Sequence, residues 1–508
     1  MIRASVCCLL FALSSASTVG AQGGPLQGFD GYVATAVRDW EVPGLAVAVV
    51  RNDSVVFMRG FGVRTLGKPD PVDEHTLFAI GSTTKAFTTT ALAMLVDEGK
   101  VRWDDPVTKY LPGFQLADPS VTREFTVRDL VTHRSGLPTA DLLWYASPNT
   151  AGEIIRRLRF LKPASSLRSR YAYNNNMYAV AGAVIAAASG MPWEEFVRRR
   201  ILLPLGMTST LTGVGGLATR PNVATPHRPI DDTIRAIPYR NLDNIAPAGA
   251  MNAGVADLAK WVRFQLDSAR VGGRRLVDST SYREMLAPQS VIPPESFYPA
   301  AQLARPNFIA YGLGWFLQDY RGRKLVMHTG SIDGMSALIG MLPEERLGVI
   351  VLANLDHAEV RHALMYHVFD LHLGGTSRDW SAELRKLYGE ASDRQRTAVR
   401  KAESARVAST RPSLPLGAYA GTYTDSLYVD VDVRVEKGAL VARFGSGYVG
   451  DLEHWHHDVF RARWRDRVLG RSFLTFKLDP ARQGVTAVSI EGIGEFTRRA
   501  GRSPQKAP

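Results

Sequence analysis

Phe78-Ala79-Ile80-Gly81-Ser82-Thr83-Thr84-Lys85 opens a stretch that runs on to Glu98-Gly99. Within it Phe87, Leu92, Leu95 and Val96 recur at helical spacing, and Gly99 supplies the stop. The pattern predicts a helix over 82–98 with Ser82 at its N-terminus. One helical turn separates Ser82 from Lys85, so the two side chains share a face. A serine hydroxyl is a poor nucleophile without a base beside it. Lysine is such a base when burial or nearby cations lower its pKa, and the N–H groups of a helix start suit a developing oxyanion. A lone Ser-x-x-Lys also arises by chance, as a capping serine beside a solvated lysine. The rest of the chain decides between the two.

Upstream, residues 44–62 read as two β-branched runs around Asn52-Asp53, a hairpin. Downstream, helical patterns cover 127–132, 150–160, 177–189 and 255–266, and strands return at 324–327, 336–341 and 347–353. Strands at both ends thus flank a helical middle. Residues 382–411 are charged and poor in large apolar side chains, which predicts a connecting helix or linker. Beyond it Val429, Val431, Val433 and Val435 alternate with charged residues, Lys437-Gly438 turns the chain, and Leu440, Ala442 and Phe444 resume the period of two. Further short runs to Arg498 make 413–500 a small all-β unit, expected to be a barrel with a filled core. The division expected is 1–21 signal peptide, 22–375 main domain, 376–412 helical linker, 413–500 β domain and 501–508 flexible tail.

At about 150 residues per domain, 508 residues allow two to four domains. The composition, 45% hydrophobic and 22% charged, excludes a disordered chain. Met1-Ile2-Arg3, an apolar run from Val6 to Leu13 and small residues up to Ala21 form a secretory signal, too short for a spanning helix of about 20 residues. The protein is therefore expected to be secreted or periplasmic, with no membrane span. Both cysteines, Cys7 and Cys8, fall inside the apolar run, so lipidation, thiol catalysis and disulfides are not expected. The formal net charge is +12, but the arginines are scattered, with no basic stripe interleaved with aromatics, and nucleic acid is not an expected partner. His454, His456 and His457 lack a carboxylate or spaced fourth ligand, so no metal or other cofactor is expected.

Two further motifs accompany Ser82. Tyr173-Asn174-Asn175 stands 91 residues after it, just before the apolar helix from Met177, and His328-Thr329-Gly330 closes an apolar strand ahead of Ser331. With Ser-x-x-Lys, Tyr-x-Asn and Lys/His-x-Gly in that order, the chain resembles the serine penicillin-recognising hydrolases: class C β-lactamases, D-alanyl-D-alanine peptidases and related esterases. Connecting segments are similar too, among them Leu130 to Pro138 and Tyr311-Gly312-Leu313-Gly314-Trp315. The resemblance spans roughly residues 30–370. The β domain resembles, more softly, the lipocalin-like module of some family members.

The resemblance implies an α+β fold: an antiparallel sheet flanked by helices, with an all-helical subdomain, followed by the β barrel. It makes Ser82 the nucleophile, Lys85 its proton acceptor or the organiser of the network, and Tyr173 a second acid/base whose phenolate nearby positive charge favours. Tyr171 is the rival tyrosine, disfavoured because Asn175 lies two residues after Tyr173. Asn175 is expected to bond the substrate amide and Lys85. Ser82 and Ser331 are expected to present N–H groups to an oxyanion, and Gly330 to permit close approach. His133 is expected to brace a loop. His328 stands where β-lactamases carry lysine, and an ordinary histidine pKa of about 6.5 predicts a carboxylate anchor that gains charge only at lower pH. The function implied is an exported hydrolase forming an acyl-enzyme on small esters, D-amino-acid peptides or peptidoglycan-type peptides. The alternatives are a β-lactamase and a non-catalytic penicillin-recognising scaffold. Expected partners are a small-molecule or peptide substrate and a homo-oligomer.

Overall fold

The computed structural model describes residues 24–375, 378–481 and 483–500. The signal segment with its cysteines and the tail at 501–508 lie outside the described residues.

β1 (Gly44–Arg51) and β2 (Ser54–Gly62) form the expected hairpin, with Arg51 facing Ser54. Asn52 and Asp53 both take positive φ, 49° and 67°, as a two-residue turn matching the strand twist requires. The other strands of this sheet come from far along the chain: β3 (Ser290–Val291), β4 (Ile309–Tyr311), β5 (Phe316–Tyr320), β6 (Arg323–Ile332), β7 (Met335–Leu342) and β8 (Leu347–Ala353). They order as β2-β1-β8-β7-β6-β5-β4-β3, antiparallel throughout, with Val47 opposite Val351 where the two ends of the domain meet.

Strand alternation sorts the apolar side chains into two cores. Ala46, Ala48, Ile339, Ile350 and Leu352 face a helical layer that includes α1 (Lys85–Asp97), α2 (Asn176–Ser189) and α3 (Val255–Leu266). Leu45, Val47, Leu338, Val349 and Val351 face α4 (Val360–His372) and the first turn of α5 (Trp380–Ser404). With both faces covered, the central strands read as continuous apolar runs rather than alternating ones. Beyond its first turn α5 is charged and exposed, as the linker composition predicts.

The C-terminal strands close into an eight-stranded antiparallel barrel, each pairing with the next and the last with the first. Its members are β9 (Gly421–Thr424), β10 (Val431–Glu436), β11 (Ala439–Phe444), β12 (Tyr448–His456), β13 (Val459–Trp464), β14 (Arg471–Leu478), β15 (Val485–Ile490) and β16 (Gly494–Arg498). Aromatic rings fill the interior: Tyr419, Phe460 and Phe476 meet edge-to-face with centroids 5.1–5.6 Å apart.

Candidate active site

Gly81–Thr84 forms a 3₁₀ turn that runs directly into α1, leaving Ser82 partly exposed and Lys85 fully buried. Lys85 Nζ lies 2.9 Å from Ser82 Oγ, 2.8 Å from Asn175 Oδ1 and 2.8 Å from the Ala248 carbonyl. Asn175 presents its oxygen to lysine because its Nδ2 donates to the Asp141 carboxylate at 3.3 Å. Two of the three neighbours can only accept, so they take two lysine hydrogens and the third direction faces Ser82. Burial pushes the Lys85 ammonium well below its usual range, with the Asp141 charge opposing. In the neutral amine that third direction is the lone pair, aimed at the Ser82 hydroxyl, which is the geometry of a general base.

Of the two candidate tyrosines, Tyr173 is the one hydrogen-bonded to Ser82, and its ring lies 4.9 Å from Lys85 Nζ. The expected phenolate is corrected. Desolvation pushes the Tyr173 phenol well above 10 and outweighs the Ser82 hydrogen bond that pulls it down. Lys85, desolvated in turn, does not supply the lasting positive charge a phenolate needs. Burial thus favours the protonated phenol.

The three asparagines after Tyr173 tie one loop to this centre. Asn174 Nδ2 donates to the Pro138 carbonyl at 2.7 Å, Asn175 to Asp141, and Asn176 Nδ2 to the Thr139 carbonyl at 2.7 Å. His133 is buried, and burial holds its imidazole neutral, well below the usual range. Its Nδ1 accepts the Asn174 N–H at 3.0 Å and its ring lies 4.1 Å from that of Tyr173, so it braces the tyrosine segment.

β6 passes against the serine turn. A Cβ on Gly330 would sit 1.9 Å from the Ile80 carbonyl oxygen and 3.0 Å from Ser82 N, and one on Gly81, at φ +51°, would lie 2.7 Å from Ser331 N. Two glycines therefore let the Ser82 and Ser331 amides come together. Beneath them Arg361, 1% exposed, donates through Nη1 to the Gly330 carbonyl at 2.7 Å and to Ser331 Oγ at 2.8 Å, while Nη2 donates to Glu359 at 2.9 Å. The Gly330 carbonyl and the Ser331 N–H are two ends of one peptide group, so Arg361 fixes the direction in which that N–H points.

His328 differs from expectation. It is 1% exposed, and burial with the adjacent Lys85 pushes it down to about 3. Its Nδ1 meets the Thr329 carbonyl at 2.6 Å and so carries the hydrogen; Nε2 then accepts from the Tyr311 hydroxyl at 3.0 Å. Both nitrogens are committed, and the imidazole stays neutral at working pH. Asp141, Ala248 and Arg361 escaped the sequence reading. A charged residue amid the apolar helical pattern of 358–369 was the one signal for Arg361. The barrel histidines serve local structure: His454 Nε2 meets the His457 carbonyl, and His456 Nδ1 accepts the Val407 N–H.

Residues 29–372 match the family described as Beta-lactamase, and 405–499 match a domain of unknown function, DUF3471. The chain belongs to the beta-lactamase family. Among curated relatives of this beta-lactamase-family chain, the "Unguisins hydrolase ungD" of Aspergillus violaceofuscus is 32% identical over 86% of this chain and 83% of its own length. "Protein flp" of Staphylococcus aureus is 24% identical over 65% of this chain and 63% of its own. Among solved structures, the octameric penicillin-binding protein homologue from Pyrococcus abyssi superposes with a TM-score of 0.61 at 22% identity, covering 93% of this chain and all of that one. The likeness extends through both domains of the fold.

Proposed function

We propose that the protein is a serine hydrolase that cleaves ester or amide bonds through an acyl-enzyme. The observation that carries this is the buried, desolvated Lys85 amine 2.9 Å from the partly exposed Ser82 hydroxyl. Ser82 Oγ adds to the substrate carbonyl while its proton passes to Lys85, and the oxyanion lies between the Ser82 and Ser331 N–H groups. The carbon–heteroatom bond breaks as Tyr173 gives its proton to the leaving group and regains one from Lys85. Water then loses a proton to the same relay and adds to the acyl carbon; the acid departs and Ser82 recovers its hydrogen. Relatives named for hydrolysing unguisins support the hydrolase reading.

The neutral His328 offers no cation to a substrate carboxylate, which favours neutral esters and amides over penicillins. Complete motifs argue against a purely binding role. Residues 1–21 support export to the periplasm or beyond, and the octameric structural neighbour supports a homo-oligomer. A fluorophosphonate probe should add one label, which intact and peptide mass place on Ser82; the Ser82→Ala protein should take none and lose hydrolysis of an activated ester. Labelling of Ser82→Ala at full stoichiometry would overturn the reading.

A further inference from the structure

The Pro138–Asp141 loop that Asn174, Asn175 and Asn176 hold also forms one wall of a cleft of about 600 Å³. The opposite wall belongs to the barrel. The catalytic side contributes Thr139, Asp141 and Phe160, and the barrel side Leu427, Tyr428 and Ile493. Phe160 is 40% exposed, one of several large apolar side chains this domain leaves facing solvent, and the one that lines the cleft.

The barrel wall is held rather than loosely apposed. Arg157 Nη1 donates to the Leu427 and Tyr428 carbonyls at 3.0 and 2.7 Å, and Asp425 Oδ1 accepts the Leu427 and Tyr428 N–H groups at 2.8 and 2.9 Å, fixing the turn between β9 and β10. Burial raises the Tyr428 phenol, with the Asp425 carboxylate and then that of Asp141 adding to it. Asp141 accepts from Asn175, Asn175 accepts from Lys85, and Lys85 faces Ser82. Asp141 thus belongs both to the cleft lining and, through Asn175 and Lys85, to the hydrogen-bond network of Ser82.

We propose that this cleft is a substrate subsite to which the barrel supplies one wall. Its occupant is the apolar or aromatic side chain of a peptide-like substrate, lying on the Asn175 side of the bond that is cleaved. Apolar and polar surface share the lining about equally, and the apolar part comes from Phe160, Leu427, Tyr428 and Ile493, which face one another across the cleft. The carboxylates at its edge, Asp141 and Asp425 with Glu495 already paired to Lys477, stand against one ammonium, Lys162, and disfavour an anionic group there. The proposal deepens the hydrolase reading above and rests on it: it assigns the C-terminal domain to selection of extended, uncharged substrates rather than to the chemistry.

Two exposed positions test it without touching either core. Phe160→Ser removes an apolar wall and Thr139→Trp fills the cleft, leaving the Thr139 carbonyl to its bond with Asn176. The substrates are a p-nitrophenyl acetate and a p-nitrophenyl ester of an N-acyl dipeptide carrying an aromatic side chain. Each variant should lower the ratio of kcat/KM for the dipeptide ester over the acetate by tenfold or more. The same substitutions placed in the Ser82→Ala chain should weaken calorimetric binding of the corresponding dipeptide amide by a similar factor. An unchanged ratio, with hydrolysis of the acetate still dependent on Ser82, overturns the subsite and leaves the hydrolase reading intact. Absence of Ser82-dependent turnover overturns the hydrolase reading instead, and the binding measurement then decides the cleft: unchanged affinity in both variants sinks it.

Discussion

Lys85 is the residue whose surroundings set the chemistry, because full burial disfavours the charged amine more than the nearby Asp141 charge favours it, and the neutral form is a base. Lys85→Ala and Tyr173→Phe should each lower kcat/KM for an activated ester by about 10²–10⁴, the usual worth of a positioned acid or base. The acidic limb of the kcat/KM profile should fall well below the 10.5 of an ordinary lysine, with rate rising as pH rises through it. A limb near 10 would refute Lys85 as base. His328 makes a stability prediction of known sign. Its folded-state pKa, about 3, lies below the unfolded value of about 6.5, so between those values the unfolded chain binds the extra proton. Stability should therefore fall as pH drops through that window, by at most about 1.4 kcal/mol per pH unit from this group. His328→Gln should flatten the urea-melt dependence between pH 6 and 4, and an unaltered slope would contradict the buried neutral imidazole.

At the scale of elements, the site is a meeting of the α1 start, the α2 start and β6, with α4 beneath the strand. Arg361 is the tie from α4. Arg361→Lys keeps the charge but loses the planar fork, which should let the Gly330–Ser331 peptide tilt. We expect kcat to fall about tenfold with KM within about twofold, measured against active sites counted by fluorophosphonate titration. Equal loss of titratable sites and of rate would mean that Arg361 serves folding alone. Much of this framework was legible in the sequence. The period of two at 429–444, the helix at 255–266 and the strand at 347–353 are local patterns, and the structure reproduces them within a few residues. The strands at 309–311 and 316–320 were not legible, being short and split by Gly312 to Trp315. The motif residues were legible because their spacing is chemical. The protonation of Tyr173 and His328 was not: it depends on burial by elements that only the fold brings together, such as Lys85 near His328 and Tyr298 near Tyr173, and no local pattern carries that information.

On the scale of the whole molecule, the covalent tether and the physical junction between the two domains are different things. The tether, α5, is buried only at Trp380, Ser381 and Leu384, and its later turns hold Arg394, Arg396, Arg400 and Lys401. The junction lies elsewhere. Leu142, Tyr145 and Ala146 of the catalytic domain pack against the barrel core, the Tyr145 hydroxyl donates to Asp333, and Arg240 bridges Asp333 to Asp466 of the barrel at 2.8 and 3.0 Å. Asp333 follows β6 by one residue, so the barrel steadies the end of that strand. Trypsin should accordingly cut between Arg394 and Arg411, yet the fragments should co-elute in native size-exclusion chromatography and separate only in denaturant. Arg157→Ala removes charge-assisted bonds to barrel carbonyls, each worth about 1.5–3 kcal/mol, and should lower the denaturant concentration at which the nicked fragments part. A barrel fragment that leaves the intact-motif fragment under native conditions, with the dipeptide-to-acetate preference unchanged, would show that the tether rather than the seam holds the domains, and that the barrel has no part in choosing the substrate.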